Sequence, residues 1–131
     1  MTESREAVSA FLQELQSVLR SEAFDYQRDL DILRSKKTDS DNAGYTTIET
    51  LEALGFNNKD VYEELLGLTE RDYKETQIDD KDSRLPKFYA FGKTIESREV
   101  YIKVKVRDRE RGKVFCVSFH FARYSIVKPY V

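Results

Sequence analysis

Glu99-Val100-Tyr101-Ile102-Lys103-Val104-Lys105-Val106-Arg107 is the stretch that decides the fold. Apolar and polar residues alternate along it without a break, which is the period of a strand whose two sides meet different surroundings. Val100, Ile102, Val104 and Val106 point one way, toward a core, and Tyr101, Lys103, Lys105 and Arg107 point the other. Phe88 to Ile95 reads as a strand joined to this one by a tight turn at Ser97-Arg98. Val114 to Phe121 reads as a third strand, across a charged hairpin loop from Asp108 to Gly112 with Gly112 placed for a bulge. Three consecutive strands with short connections make an antiparallel meander. In the last strand Phe115, Val117, Phe119 and Phe121 form the more apolar side, expected beneath helices. Val114, Cys116, Ser118 and His120 form the other side.

Upstream of the meander the period is that of helices. Val8, Phe11, Leu12, Leu15, Val18 and Leu19 recur at helical spacing behind Ser4, a suitable N-cap. Residues 24–37 mix both periods and are expected to hold a short extended piece or an irregular turn. Ser35 to Gly44 is polar and aperiodic, a loop. Thr46 with Glu49 has capping-box spacing, ahead of a helix carrying Ile48, Leu51 and Leu54 and stopped by Gly55. Asn58 is read as the cap of a third helix with Val61, Leu65 and Leu66, stopped by Gly67. Thr69 to Asp72 is another cap-like start, leading into a short turn at Tyr73. The expected architecture is one α+β domain over residues 1–131, with N-terminal helices packed on a C-terminal antiparallel sheet of three or slightly more strands. Residues 1–45 form a helical extension and residues 46–131 the core.

The chain is 131 residues long with a net charge of −2, and that small figure hides an asymmetry. Residues 1–82 carry 10 Lys and Arg against 20 Asp and Glu, whereas residues 83–131 carry 12 against 4. A basic segment of this kind suits a polyanion, and it equally suits an acidic half folded against it. Cys116 is the one cysteine, so no internal disulfide forms; within an apolar run it reads as core in a reducing compartment. Neither a leader pattern nor an apolar run of roughly 20 residues is present, so the expected location is the cytoplasm, away from membrane. Paired Cys or His spacing, a glycine-rich phosphate loop and a nucleophile elbow are all missing, and no metal or cofactor is expected. Asp79-Asp80-Lys81-Asp82 lacks the ordered oxygen spacing of a calcium loop and reads as a solvated loop.

The polar side of the meander gathers Tyr101, Lys103, Lys105, Ser118 and His120, with Lys93 a candidate from the first strand. A solvated sheet face accounts for lysines, but less readily for a tyrosine beside the one histidine of the chain. Such a face has the groups needed to cut RNA without metal. A 2′-hydroxyl attacks the adjacent phosphorus, which calls for a base, an acid for the leaving 5′-oxygen and positive charge on the phosphate. Imidazole serves as acid or base near neutral pH, lysine neutralises phosphate, and tyrosine stacks on a base or orients a phosphate oxygen.

Several of these stretches, in order, resemble the MqsR family of toxins, a branch of the RelE-like messenger-RNA interferases of bacterial toxin–antitoxin pairs. They are Thr50-Leu51-Glu52-Ala53-Leu54-Gly55, Val61 through Tyr73, Phe88 to Lys93, Glu99 to Lys105 and Cys116 to His120, so that the similarity runs from Ile48 to Phe121. The resemblance implies a metal-independent endoribonuclease that cuts messenger RNA and is inhibited by a small antitoxin. It places the family's catalytic tyrosine on Tyr101 and its C-terminal catalytic lysine on His120. A further family lysine falls on Lys74 or Glu75. A family glutamine of the first strand has no match, since Phe88 or Tyr89 stands there. With Lys103, Tyr101 and His120 are the expected catalytic residues. Lys74, Lys93, Lys105, Arg107 and Arg123 are the expected RNA contacts. The tail from Tyr124 to Val131 brings Lys128 and Tyr130 toward the same edge. Two other functions suit the same residues: a non-catalytic protein-binding module such as a mobile-element or phage inhibitor, and an RNA-binding regulator that does not cleave.

Overall fold

The structure is a computed structural model that describes residues 1–34 and 43–131. Three helices and a five-stranded mixed sheet form an α+β fold. Helix α1, Arg5–Leu19, begins where the Ser4 hydroxyl accepts the Ala7 N–H, and it buries Val8, Leu12, Leu15, Val18 and Leu19. Helix α2, Thr47–Leu54, begins at Thr46, which accepts the Glu49 N–H, and ends at Gly55 in the left-handed region (φ 69°). Helix α3, Asn58–Leu66, is capped by Asn57, one residue before the expected cap; Asn57 and Asp60 exchange hydrogen bonds as a capping box. Most of the expected loop, residues 35–42, lies outside the described residues.

The sheet has the order β1-β5-β4-β3-β2, with β1 Leu30–Ile32, β2 Tyr73–Gln77, β3 Phe88–Ile95, β4 Arg98–Asp108 and β5 Lys113–Phe121. The meander β3-β4-β5 forms as expected, and its first turn is Glu96-Ser97, one residue earlier than read, because Ile95 pairs with Arg98. Both turn residues have positive φ, 49° and 69°, the conformation that lets a two-residue hairpin follow the twist of its strands. Two strands enlarge the expected sheet. β1 comes from the ambiguous region 24–37 and pairs parallel to β5, so the sheet is mixed rather than purely antiparallel. β2, read as a turn, pairs antiparallel with β3, with a register shift between Tyr73 and Glu75.

On both sides of the sheet other segments take up some of the strand groups, which keeps those groups from pairing with other chains. Beyond β1 the outer edge of β5 meets α2: the hydroxyls of Thr47 and Thr50 accept the backbone N–H groups of Phe119 (3.2 Å) and Phe121 (2.9 Å). At the other edge Met1 and Thr76 exchange two backbone hydrogen bonds, of 2.9 and 2.8 Å.

Helices α1 and α3 lie on one face of the sheet. Phe11 of α1 stacks on Tyr89 at 4.0 Å between centroids, and Tyr62 of α3 donates to the Leu19 carbonyl oxygen. Val100, Ile102, Val104 and Val106 of β4 are buried toward this layer, as their alternation demands. In β5 the alternation breaks. Ser118 pairs with Lys103 but Cys116 pairs with Val104, so Val117 is an extra residue, a β-bulge. Phe119 and Phe121 therefore share the core side with Val114 and Cys116, while Phe115 is turned to the open face, contrary to the reading by strict alternation.

The charge asymmetry is largely consumed inside the fold. Among the described residues six ion pairs join the acidic segment 1–82 to the basic segment 83–131: Glu3–Lys87, Glu64–Lys93, Asp79–Lys105, Asp82–Arg84, Asp31–Arg107 and Asp29–Lys113.

Candidate functional site

The open face of the sheet is built rung by rung. Gly92, Tyr101 and His120 stand opposite one another on β3, β4 and β5; Glu75, Ala90, Lys103 and Ser118 form the next rung. Direct opposition brings the rings of Tyr101 and His120 into a stack, with centroids 5.3 Å apart and planes 25° from parallel. Both side chains are part-exposed. His120 Nδ1–H donates to the carbonyl oxygen of Phe121 at 3.0 Å, and Nε2 is left as the ring's acceptor.

Gln77 supports the second rung. Its Oε1 accepts from Lys103 Nζ at 2.6 Å. Burial, and then the negative charge of Glu75, push the Tyr101 phenol above its ordinary pKa, against the smaller opposing effect of Gln77. Tyr101 is thus a neutral hydrogen-bond donor throughout the neutral range. Glu75 is held below the usual carboxylate range, first by its hydrogen bond to Lys74.

Two segments frame this face. At one end the loop after β2 folds inward and Asp79 accepts from Lys105 Nζ at 2.7 Å, a pair in which Lys105 is 4% exposed. The Lys105 ammonium also lies 4.5 Å from the centroid of Phe88. At the other end the C-terminal tail passes over Gly92, where Ile126 and Lys128 touch the strand. The rungs of Tyr101 and Lys105 lie four residues apart, about 13 Å at strand rise.

Tyr101, Lys103 and His120 converge on this face, as their positions in the strands lead one to expect. The other expected residues disperse. Lys93 points to the opposite side, because its neighbour Gly92 takes the open side; its ammonium pairs with Glu64 of α3 at 2.8 Å. Lys105 is on the open face but buried and neutralised by Asp79, which is therefore no solvated loop residue. Arg107 lies farther along β4, over the ring of Phe115 at 4.0 Å and paired with Asp31. Arg123 lies over Tyr45, 4.9 Å from its ring centroid. Lys74 stands at the β2 bulge and pairs with Glu75.

Gln77 and Glu75 are the members that sequence reading missed. Tyr73-Lys74-Glu75-Thr76-Gln77 holds two good strand formers, Tyr73 and Thr76, but the bulge spaces them three apart and hides the period of two. Among the described residues no three side chains of His, Cys, Asp or Glu gather as a metal site, and no helix is long and apolar enough to cross a membrane.

Comparison with curated proteins and with solved structures gives no match. Comparison with protein families gives one over residues 29–121, to the family described as motility quorum-sensing regulator, toxin of MqsA. The matched stretch runs from the residue before β1 to the last residue of β5, so it takes in all five strands. By a match that spans most of its length and the whole of its sheet, the chain belongs to the MqsR toxin family.

Proposed function

We propose that this protein is the toxin of a toxin–antitoxin pair and that it acts by cutting RNA on the open face of its sheet. The observation that carries this reading is the Tyr101–His120 stack with Lys103 one rung away, on the face of the sheet opposite α1 and α3.

The chemistry follows from the groups and their protonation. His120 Nε2 removes the proton of a 2′-hydroxyl. The 2′-oxygen then bonds to the adjacent phosphorus, and the bond from phosphorus to the 5′-oxygen breaks. The Tyr101 phenol, kept protonated by burial and by Glu75, gives its proton to the departing 5′-oxygen. Lys103, steered by Gln77, faces the oxygens that gain charge in the pentavalent transition state. The products are a 2′,3′-cyclic phosphate and a 5′-hydroxyl; the proton on His120 returns to Tyr101 through solvent. The family name supports a second component, an antitoxin protein related to MqsA, as the binding partner.

The test is RNA cleavage by purified protein in EDTA. Wild-type protein should cut single-stranded RNA. His120→Ala should cut at least about 100-fold more slowly, the usual worth of a positioned acid or base. Intact RNA in the presence of folded wild-type protein refutes the nuclease reading, as does a His120→Ala rate equal to wild type.

A further inference from the structure

The C-terminal tail, residues 122–131, lies outside the stretch that matches the family and yet is built onto the candidate site. Gly92 shows how. A Cβ at that position would stand 2.7 Å from Ile126 Cδ1, 3.0 Å from Ile126 Cγ2 and 3.0 Å from Lys128 Cε. The Gly92 backbone does not have positive φ, so its conformation does not call for glycine; the close approach of the tail does. Gly92 is the residue directly opposite Tyr101, so Ile126 and Lys128 occupy the site's own rung, where a β3 side chain would otherwise be.

The tail is held there from both ends. The carboxylate of Glu99, two residues before Tyr101, accepts the Ile126 N–H at 3.3 Å from each oxygen. Tyr130 stacks on buried Tyr73 at 5.9 Å and donates to the Glu3 carbonyl oxygen at 2.6 Å, with Arg5 above its ring. Side chains alternate along the segment: Ile126, Lys128 and Tyr130 turn inward and are part-buried, while Val127 and Val131 are exposed. The Lys128 ammonium lies 3.9 Å from Glu99, too far for a hydrogen bond, and its side chain remains 19% exposed.

We propose that this tail is one wall of the RNA groove, with Ile126 bordering the nucleotide at Tyr101 and Lys128 holding a neighbouring phosphate. The inference rests on the nuclease reading and adds to it a binding residue. β3 does not provide a cation near Tyr101, since Lys93 points to the helices. The tail supplies it from the open side.

Steady-state cleavage of single-stranded RNA of mixed sequence, together with the salt dependence of binding to the same RNA made fully 2′-O-methylated, tests the wall. Lys128→Ala should raise KM about tenfold, the worth of one charge-assisted hydrogen bond, with kcat within about twofold of wild type. It should also lower the slope of log affinity against log salt by about 0.7, the loss of one phosphate contact on a single strand. Lys128→Arg should restore both. Gly92→Ala, which pushes the tail away, should reproduce the Lys128→Ala effect; if it fails to fold, the Lys128 pair decides alone. Wild-type KM and salt slope in Lys128→Ala overturn the wall while RNA cleavage that depends on His120 leaves the nuclease reading standing. Absence of any RNA binding or cleavage by wild-type protein removes both.

Discussion

Lys103 and Lys105 stand two residues apart on the same side of the same strand, yet their surroundings are opposed. Lys103 reaches a neutral amide, Gln77, on a part-exposed rung beside the Tyr101–His120 stack. Lys105 is sealed at 4% exposure, its charge met by Asp79 and its stem lying by Phe88. An amide orients an ammonium without neutralising it, so a phosphate can still be drawn to Lys103. A carboxylate at 2.7 Å cancels the charge, and burial makes the pair a structural clamp that holds the loop after β2 against the sheet. Equivalent positions in an alternating strand thus become a candidate ligand and a fastener according to what the rest of the chain lays over them.

Exchanging the two lysines for alanine is the sharpest way to break the comparison. Lys103→Ala should reduce RNA cleavage by roughly 100-fold, the scale of one lost transition-state contact, with Tm near wild type. Lys105→Ala should leave the site chemistry intact and lower Tm by several degrees, because the loop loses its anchor. A Lys105→Ala variant that is fully stable but inactive would reverse the assignment. The pH dependence sharpens it further. Lys105 holds the Asp79 carboxyl below its ordinary pKa, chiefly through their hydrogen bond. A depressed carboxyl contributes stability above its unfolded pKa, and that contribution is lost as pH falls through the folded value. The Tm gap between wild type and Lys105→Ala should therefore be widest near neutrality and close in acid, as thermal melts at a series of pH values will show.

Smaller effects belong to the face's supports. Thr50→Val removes the hydroxyl that accepts the Phe121 N–H and leaves that donor buried, at a cost of about 1–2 kcal/mol by chemical denaturation. The smallest effect is chemical: burial pushes the Cys116 thiol up to about 12, so iodoacetamide near neutral pH should label it only when denaturant opens the core. Rapid labelling of the native protein would place the β5 bulge nearer the surface than it is here.

What could be read directly from the chain was whatever depends on neighbours in sequence. The caps at Ser4 and Thr46, the stop at Gly55 and the meander of β3, β4 and β5 follow from side-chain chemistry and periodicity over a few residues. So does the shared side of Tyr101, Lys103 and His120, since the alternation of β4 is unbroken and the bulge at Val117 falls before Ser118 and His120. Tertiary structure decided the rest. The parallel pairing of β1, three residues long, gains its stability from β5, more than eighty residues away, and nothing local announces it. The sides of Phe115 and Val117 depend on one extra residue in a ladder, which shifts the phase without changing the composition. Lys93 faces Glu64, Lys105 is clamped by Asp79, and Gln77 enters the site because distant segments supply or withhold a partner. Periodicity sets the direction of a side chain relative to its own strand; whether its charge stays available is set by the groups that the folded chain brings against it.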